Sequence, residues 1–191
     1  DLHSFPTRRS SDLHIERELN SASEQARALS GDLSEAEFRA APRARQWSVA
    51  ECLDHLRITT DAYLPTLREA IAEGRLRGMT GDGPYRADLL GRLLVWIMEP
   101  PVFLRSRTPA PFVPHELPSR DEVVDSFLES QFELIACVED AAGLDLSRLR
   151  IRSPFDARFH YSLFSAFRLL VAHERRHLWQ AQQAAEKVTR R

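Results

Sequence analysis

The chain has 191 residues, a formal net charge of −2 and two cysteines. That length suits one domain with a core that needs no disulfide staples, and the near-neutral charge excludes a global pull toward nucleic acid or anionic membrane. Seven glycines among plentiful Ala, Leu, Glu and Arg favour helices.

The opening stretch His3-Ser-Phe-Pro-Thr-Arg-Arg-Ser-Ser-Asp-Leu13 resembles one reading frame of a sequencing adapter. Residues 1–13 are therefore expected to be an artefact or a disordered basic tail, and residues 14–191 one helical domain. No apolar segment of a secretory signal is present there. Cys52 and Cys137 fall among apolar helical positions, as reduced thiols would, so a cytoplasmic protein is expected.

Ile15, Leu19, Ala22, Ala26 and Leu29 recur at helical spacing and predict a first amphipathic helix ending near Ser30-Gly31. A short helical piece over Ser34 to Ala40 follows. Ser48 and Glu51 form a capping box opening a second long helix. Its stripe runs through Val49, Leu53, Leu56, Tyr63 and Leu67 to about Glu73, with a local kink expected at Pro65. Leu89 to Met98 is almost continuously apolar but falls short of the about 20 residues that span a bilayer. It predicts a buried helix or pocket wall, in which Trp96 and Met98 pack. Proline-rich chain to Pro118 predicts an irregular crossover. Ser119 and Glu122 form another capping box, and the stripe Phe127, Gln131, Leu134, Val138 predicts a third long helix ending at Gly143. A connector with a brief extended piece at Arg148 to Arg152 leads to the last helix, Ser162 to Val188. The fold class is all-α: a four-helix bundle with an extra apolar helix and the crossover between its second and third main helices. No repeats and no convincing sheet are visible.

On the last helix, Leu163, Ala166, Leu170, His173, His177, Ala181 and Ala184 share one arc. Two inward histidines four apart can converge on one metal, because Zn–N bonds near 2 Å need ring nitrogens only about 3.3 Å apart. The bland reading is a pair of hydrogen-bonded core histidines, but burying both imidazoles without partners is costly. His173-Glu174-Arg175-Arg176-His177 also spells H-E-x-x-H, the zinc-protease signature. The pattern H-E-x-x-H-x-x-G-x-x-H is absent, and after His177 only Glu186 could ligate. A third ligand would then come from another helix. His55, His115 and His160 are the candidates. His115 lies in the crossover and is expected to be solvated, and His160 lies at a helix start. His55 points about 120° from the centre of the main stripe of its helix, at the edge of the buried surface.

Trp47-Ser48-x-x-Glu51-x-x-x-His55-Leu56, followed by His173-x-x-x-His177-x-x-Gln180 with Ser153-Pro154 ahead of it, resembles the DinB-like superfamily of metal-binding four-helix bundles. The resemblance runs from Ile15 to Val188, and the insert Leu89 to Pro118 departs from it. It implies a three-histidine site of His55, His173 and His177 holding one divalent transition metal: Zn, Ni, Fe or Mn. Three protein ligands leave a position open, as at a catalytic metal. The family includes thiol-dependent transferases and metal-dependent hydrolases. The expected partner is thus a small-molecule substrate, with a low-molecular-weight thiol as cosubstrate in the transferase case. A non-catalytic metal-binding or stress-response module is the alternative. Glu174 is a candidate base or partner of a ligating histidine, an ion pair with arginine being as good a reading. Gln180 is the better candidate by resemblance. Arg175 and Arg176 are expected on a solvated face, and Trp47 and Trp179 in core or staple positions. A homodimer is conceivable through the apolar insert. No basic stripe interleaved with aromatics suggests nucleic-acid binding.

Overall fold

A computed structural model describes residues 10–100 and 107–190. The helices are α1 (Ser10–Gly31), α2 (Glu35–Arg39), α3 (Val49–Leu76), α4 (Leu89–Met98), α5 (Arg120–Asp140) and α6 (Leu163–Thr189). A 3-10 turn, Ala110–Phe112, lies between α4 and α5. Strands β1 (Arg150–Arg152) and β2 (His160–Ser162) lie between α5 and α6. The expectation for residues 1–13 falls largely outside the described residues, as does part of the crossover. Ser10 to Leu13 form the first turn of α1.

Helix starts follow their side chains. Ser48 accepts from the Glu51 N–H at 3.2 Å while the Glu51 carboxylate accepts from the Ser48 N–H at 2.7 Å. Ser119 with Glu122 and Ser34 with Glu37 repeat this reciprocal cap. α3 continues through Pro65, which lies on its exposed face, where the carbonyl released by the missing N–H can meet water. Gly143, at φ +85°, turns the chain after α5.

Helix α1 packs on α5 and α6, and so does α3. The four long helices therefore form a bundle with α1 diagonal to α3 and α5 diagonal to α6. Its apolar interior is in two clusters. One holds Leu19, Tyr63, Leu67, Leu134 and Leu170. The other holds Ala26, Leu53, Leu56, Phe127 and Leu178. Between them lies a buried polar layer: His55, Thr59 and Thr60 from α3, Ser130 and Gln131 from α5, and His173, Glu174 and His177 from α6. A polar layer across a bundle reduces apolar burial and is tolerated where its groups find partners or serve a ligand.

The extra helix departs from expectation. α4 lies on α6, and only Gly91 of it is buried. Leu89, Leu93 and Trp96 face solvent, Trp96 at 68% exposure, while Met98 packs against the core as expected. An unbroken apolar run carries no period, so the sequence could not reveal which face would be covered. Gly91 permits the contact: a Cβ there would stand 2.3 Å from the Ser165 side chain. Asp88 anchors the same end. It accepts from the Gly91 N–H at 2.8 Å, the Ser162 N–H at 2.7 Å and the Arg150 guanidinium at 2.8 Å.

The all-α bundle carries a small two-stranded sheet. The extended piece near Arg152 is real, and it pairs antiparallel with β2, Ile151 opposite Tyr161. Three-residue strands are too short to show an alternating pattern. Trp179 is 41% exposed and is not a core residue. Among the described residues no helix is long and apolar enough to cross a membrane.

Candidate metal centre

Three histidines meet in the polar layer. The cap at Ser48 fixes where α3 begins, and His55 follows two turns later. His173 and His177 lie one turn apart on α6, side by side on its inner face. One ring nitrogen from each lies within 4.8 Å of the others. His55 Nε2 and His173 Nε2 face each other at 3.1 Å. The ring centres of His177 stand 4.5 Å from those of both other histidines. His55, His173 and His177 are 2%, 6% and 7% exposed. His55 is thus well inside the bundle, not at the edge that its angular position suggested. His115 and His160 are both exposed and are not part of the cluster.

Protonation favours donor nitrogens. Burial pulls His55 down, against a partial upward pull from its hydrogen bond to Phe112 and from Asp54. Burial holds His173 and His177 well below the ordinary imidazole value, and the positive charge that a neighbouring histidine would carry pushes further the same way. Neutral imidazole is the form that binds metal. The Phe112 carbonyl can only accept, so His55 Nδ1 donates to it at 2.7 Å. In the neutral ring this leaves the Nε2 lone pair directed at His173.

The residues fit a metal on two observations. Two imidazole Nε2 atoms 3.1 Å apart approximate the separation of about 3.3 Å between nitrogens on one tetrahedral zinc. His177 Nδ1 is buried with no hydrogen-bond partner; Gln180 approaches that ring and opposes its pKa shift without satisfying Nδ1. The cluster could hold a metal ion.

Aromatic rings enclose it. The Trp47 indole lies 4.8 Å from the His55 ring and 5.6 Å from that of His177. Phe155, after the Ser153-Pro154 pair, lies 6.5 Å from His173 and stacks on Phe112 at 4.0 Å. Phe112 and Phe155 escaped the sequence reading. Phe155 follows the Ser153-Pro154 pair of the family pattern but is not itself part of it. A backbone carbonyl such as that of Phe112 carries no signal in the sequence.

Among the described residues, Glu174 is not in an ion pair with arginine. Its Oε1 accepts from Gln131 Nε2 at 2.7 Å, not from an arginine or a histidine. Burial pushes its carboxyl up to about 8, and its Oε2 has no partner. Arg175 and Arg176 are likewise not on a free solvated face. Arg175 bridges Glu18 of α1, at 2.8 Å, and Glu99 after α4. The largely buried Arg176 donates to the Ile97 carbonyl at 3.0 Å. Arg175 and Arg176, two of the three residues between the histidines, thus clamp the C-terminal end of α4 to α6.

A family model described as the DinB superfamily matches residues 18–181. No curated protein and no solved structure matches the chain. The matched span includes the Ser48–Glu51 cap and the three histidines His55, His173 and His177, which the fold brings into one polar layer. The chain belongs to the DinB superfamily.

Proposed function

We propose that this protein is a metal-dependent enzyme in which His55, His173 and His177 bind one divalent transition metal and leave a coordination position open for a small-molecule substrate. The observation that carries the reading is the convergence of three buried, neutral imidazoles on one point. Neutral imidazole donors suit Zn, Ni or Fe, with Mn a harder alternative. A metal held there supplies Lewis acidity, lowering the pKa of a thiol or of water at the open position. The protein's own part is to hold three lone pairs in register, to fix the His55 tautomer through Phe112, and to limit water with Trp47 and Phe155. The reaction is thiol-dependent transfer or hydrolysis.

A second reading, a non-catalytic metal module, is favoured by one observation: none of the three histidines is more than 7% exposed, which restricts access to the open position.

The test begins with protein purified without a histidine tag and assayed for metal by mass spectrometry. One equivalent per chain is expected, lost on substitution of His55, His173 or His177 by alanine. Metal retained by His55→Ala would overturn the ligand set. Screens of thiols with electrophiles, and of esters and amides, then separate transferase from hydrolase. Inactivity in both by metal-loaded protein would favour the module.

A further inference from the structure

We infer that the cavity behind Trp47 binds a small carboxylate-bearing molecule with a planar apolar body. The cavity, about 780 Å³ and wide open to solvent, is lined by the connector between α2 and α3, including Arg43, Arg45 and Trp47, and by Glu51 of α3. That volume is within the range of small-molecule sites. Trp47 is common to both places: it lines the cavity, and its indole lies against the rings of His55 and His177.

The charge pattern selects the ligand. Among the described residues, neither Arg43 nor Arg45 has a side-chain hydrogen bond or an ion pair. Both side chains are exposed on the connector and open to a ligand from solvent. Glu51 also lines the cavity and keeps its negative charge while its Oε2 accepts from the Ser48 N–H, but the two guanidiniums outweigh it. The lining is therefore left with two unengaged guanidiniums in a chain whose overall charge is −2. Arg45 sits at φ +64°, the one non-glycine residue at positive φ among those described. Glycine or asparagine would take that conformation more easily. A guanidinium matches a carboxylate with two parallel N–H donors, and the indole offers an apolar surface for a planar group. The inference deepens the enzyme reading by naming a substrate class. Only the ligand's role as substrate rests on that reading; its binding does not.

The probe is hippurate, titrated calorimetrically into the full chain, with its neutral amide and inorganic phosphate as controls. Hippurate is expected to bind once per chain, more weakly as salt is raised. The amide and phosphate should bind at least about tenfold more weakly, and Arg43→Ala and Arg45→Gly should each weaken hippurate by about tenfold, the loss of one charge-assisted contact. Arg45→Gly relieves the left-handed backbone, so its weakened binding cannot be ascribed to misfolding. Absence of saturable binding, phosphate binding as tight as hippurate, or unchanged binding in both arginine variants would each overturn the inference. The same titration on His173→Ala protein, with metal measured on every sample, keeps the two readings apart. Hippurate binding is expected to survive loss of the metal, and its failure in metal-loaded wild type would sink the cavity reading alone.

Discussion

His55 Nδ1 donates to the carbonyl oxygen of Phe112 at 2.7 Å, across 57 positions of sequence. The bond ties the bundle to the crossover. It also selects the tautomer of a histidine that has its other nitrogen in the cluster. Partners of this kind typically contribute 10–100-fold to metal affinity, on the order of what the crossover should supply here. Phe112 is itself held by stacking on Phe155. Phe112→Leu removes the stacking and keeps an apolar side chain, so the carbonyl loses its fixed position while the helices persist. Metal affinity, measured by competition with a chromophoric chelator, should fall about tenfold with little change in helical circular dichroism. Unchanged affinity would mean that the carbonyl does not orient His55.

Loss of the cap at Ser48 should act on stability and leave the metal in place. Ser48→Ala removes the acceptor for the Glu51 N–H and should lower unfolding free energy by about 1 kcal/mol in urea. Metal stoichiometry should remain that of wild type, because the remaining turns of α3 still place His55.

The close contact of Gly91 with Ser165 makes α4 sensitive to a single methyl group. Gly91→Ala should lift the helix and accelerate amide exchange across residues 89–98, with slow exchange retained in α3 and α6. Ser165→Gly in the same chain should restore part of the protection, and a double-mutant cycle measures the coupling. Additive effects would show that the two positions do not compete for space.

Tyr63 and Tyr161 hydrogen-bond through their hydroxyls in the core. Burial raises both phenols above their ordinary value of 10.0, Tyr63 the further. The folded protein therefore retains protons that the unfolded chain releases as pH rises through 10. Their contribution to stability is complete below that pH and is lost above it. Tyr63→Phe should lower stability at pH 8 by about 1 kcal/mol, through the lost hydrogen bond. It should also flatten the decline of urea midpoints above pH 10, and a slope equal to that of wild type would refute the account.

The sequence by itself determined the helices and their inward faces. Capping pairs such as Ser119 and Glu122, and apolar residues every three to four positions, act through contacts within one helix, so no partner need be known to read them. His173 and His177 were legible for the same reason: one turn of α6 puts them together wherever that helix lies. His55 stood out only through the family pattern, because its own angular position left it at an edge.

Tertiary structure decided the rest. Packing of α3 in the bundle buried His55, and the path of the crossover brought it the Phe112 carbonyl, which no side chain advertises. Packing also turned Arg175 and Arg176 from the expected solvated face into a clamp on α4, gave Glu174 a glutamine for a partner, and left Trp96 and Trp179 in solvent. Spacing along a helix is set by covalent geometry and backbone hydrogen bonds. What a side chain meets across a helix interface is set by how whole elements pack, and that is not written in any local stretch of residues.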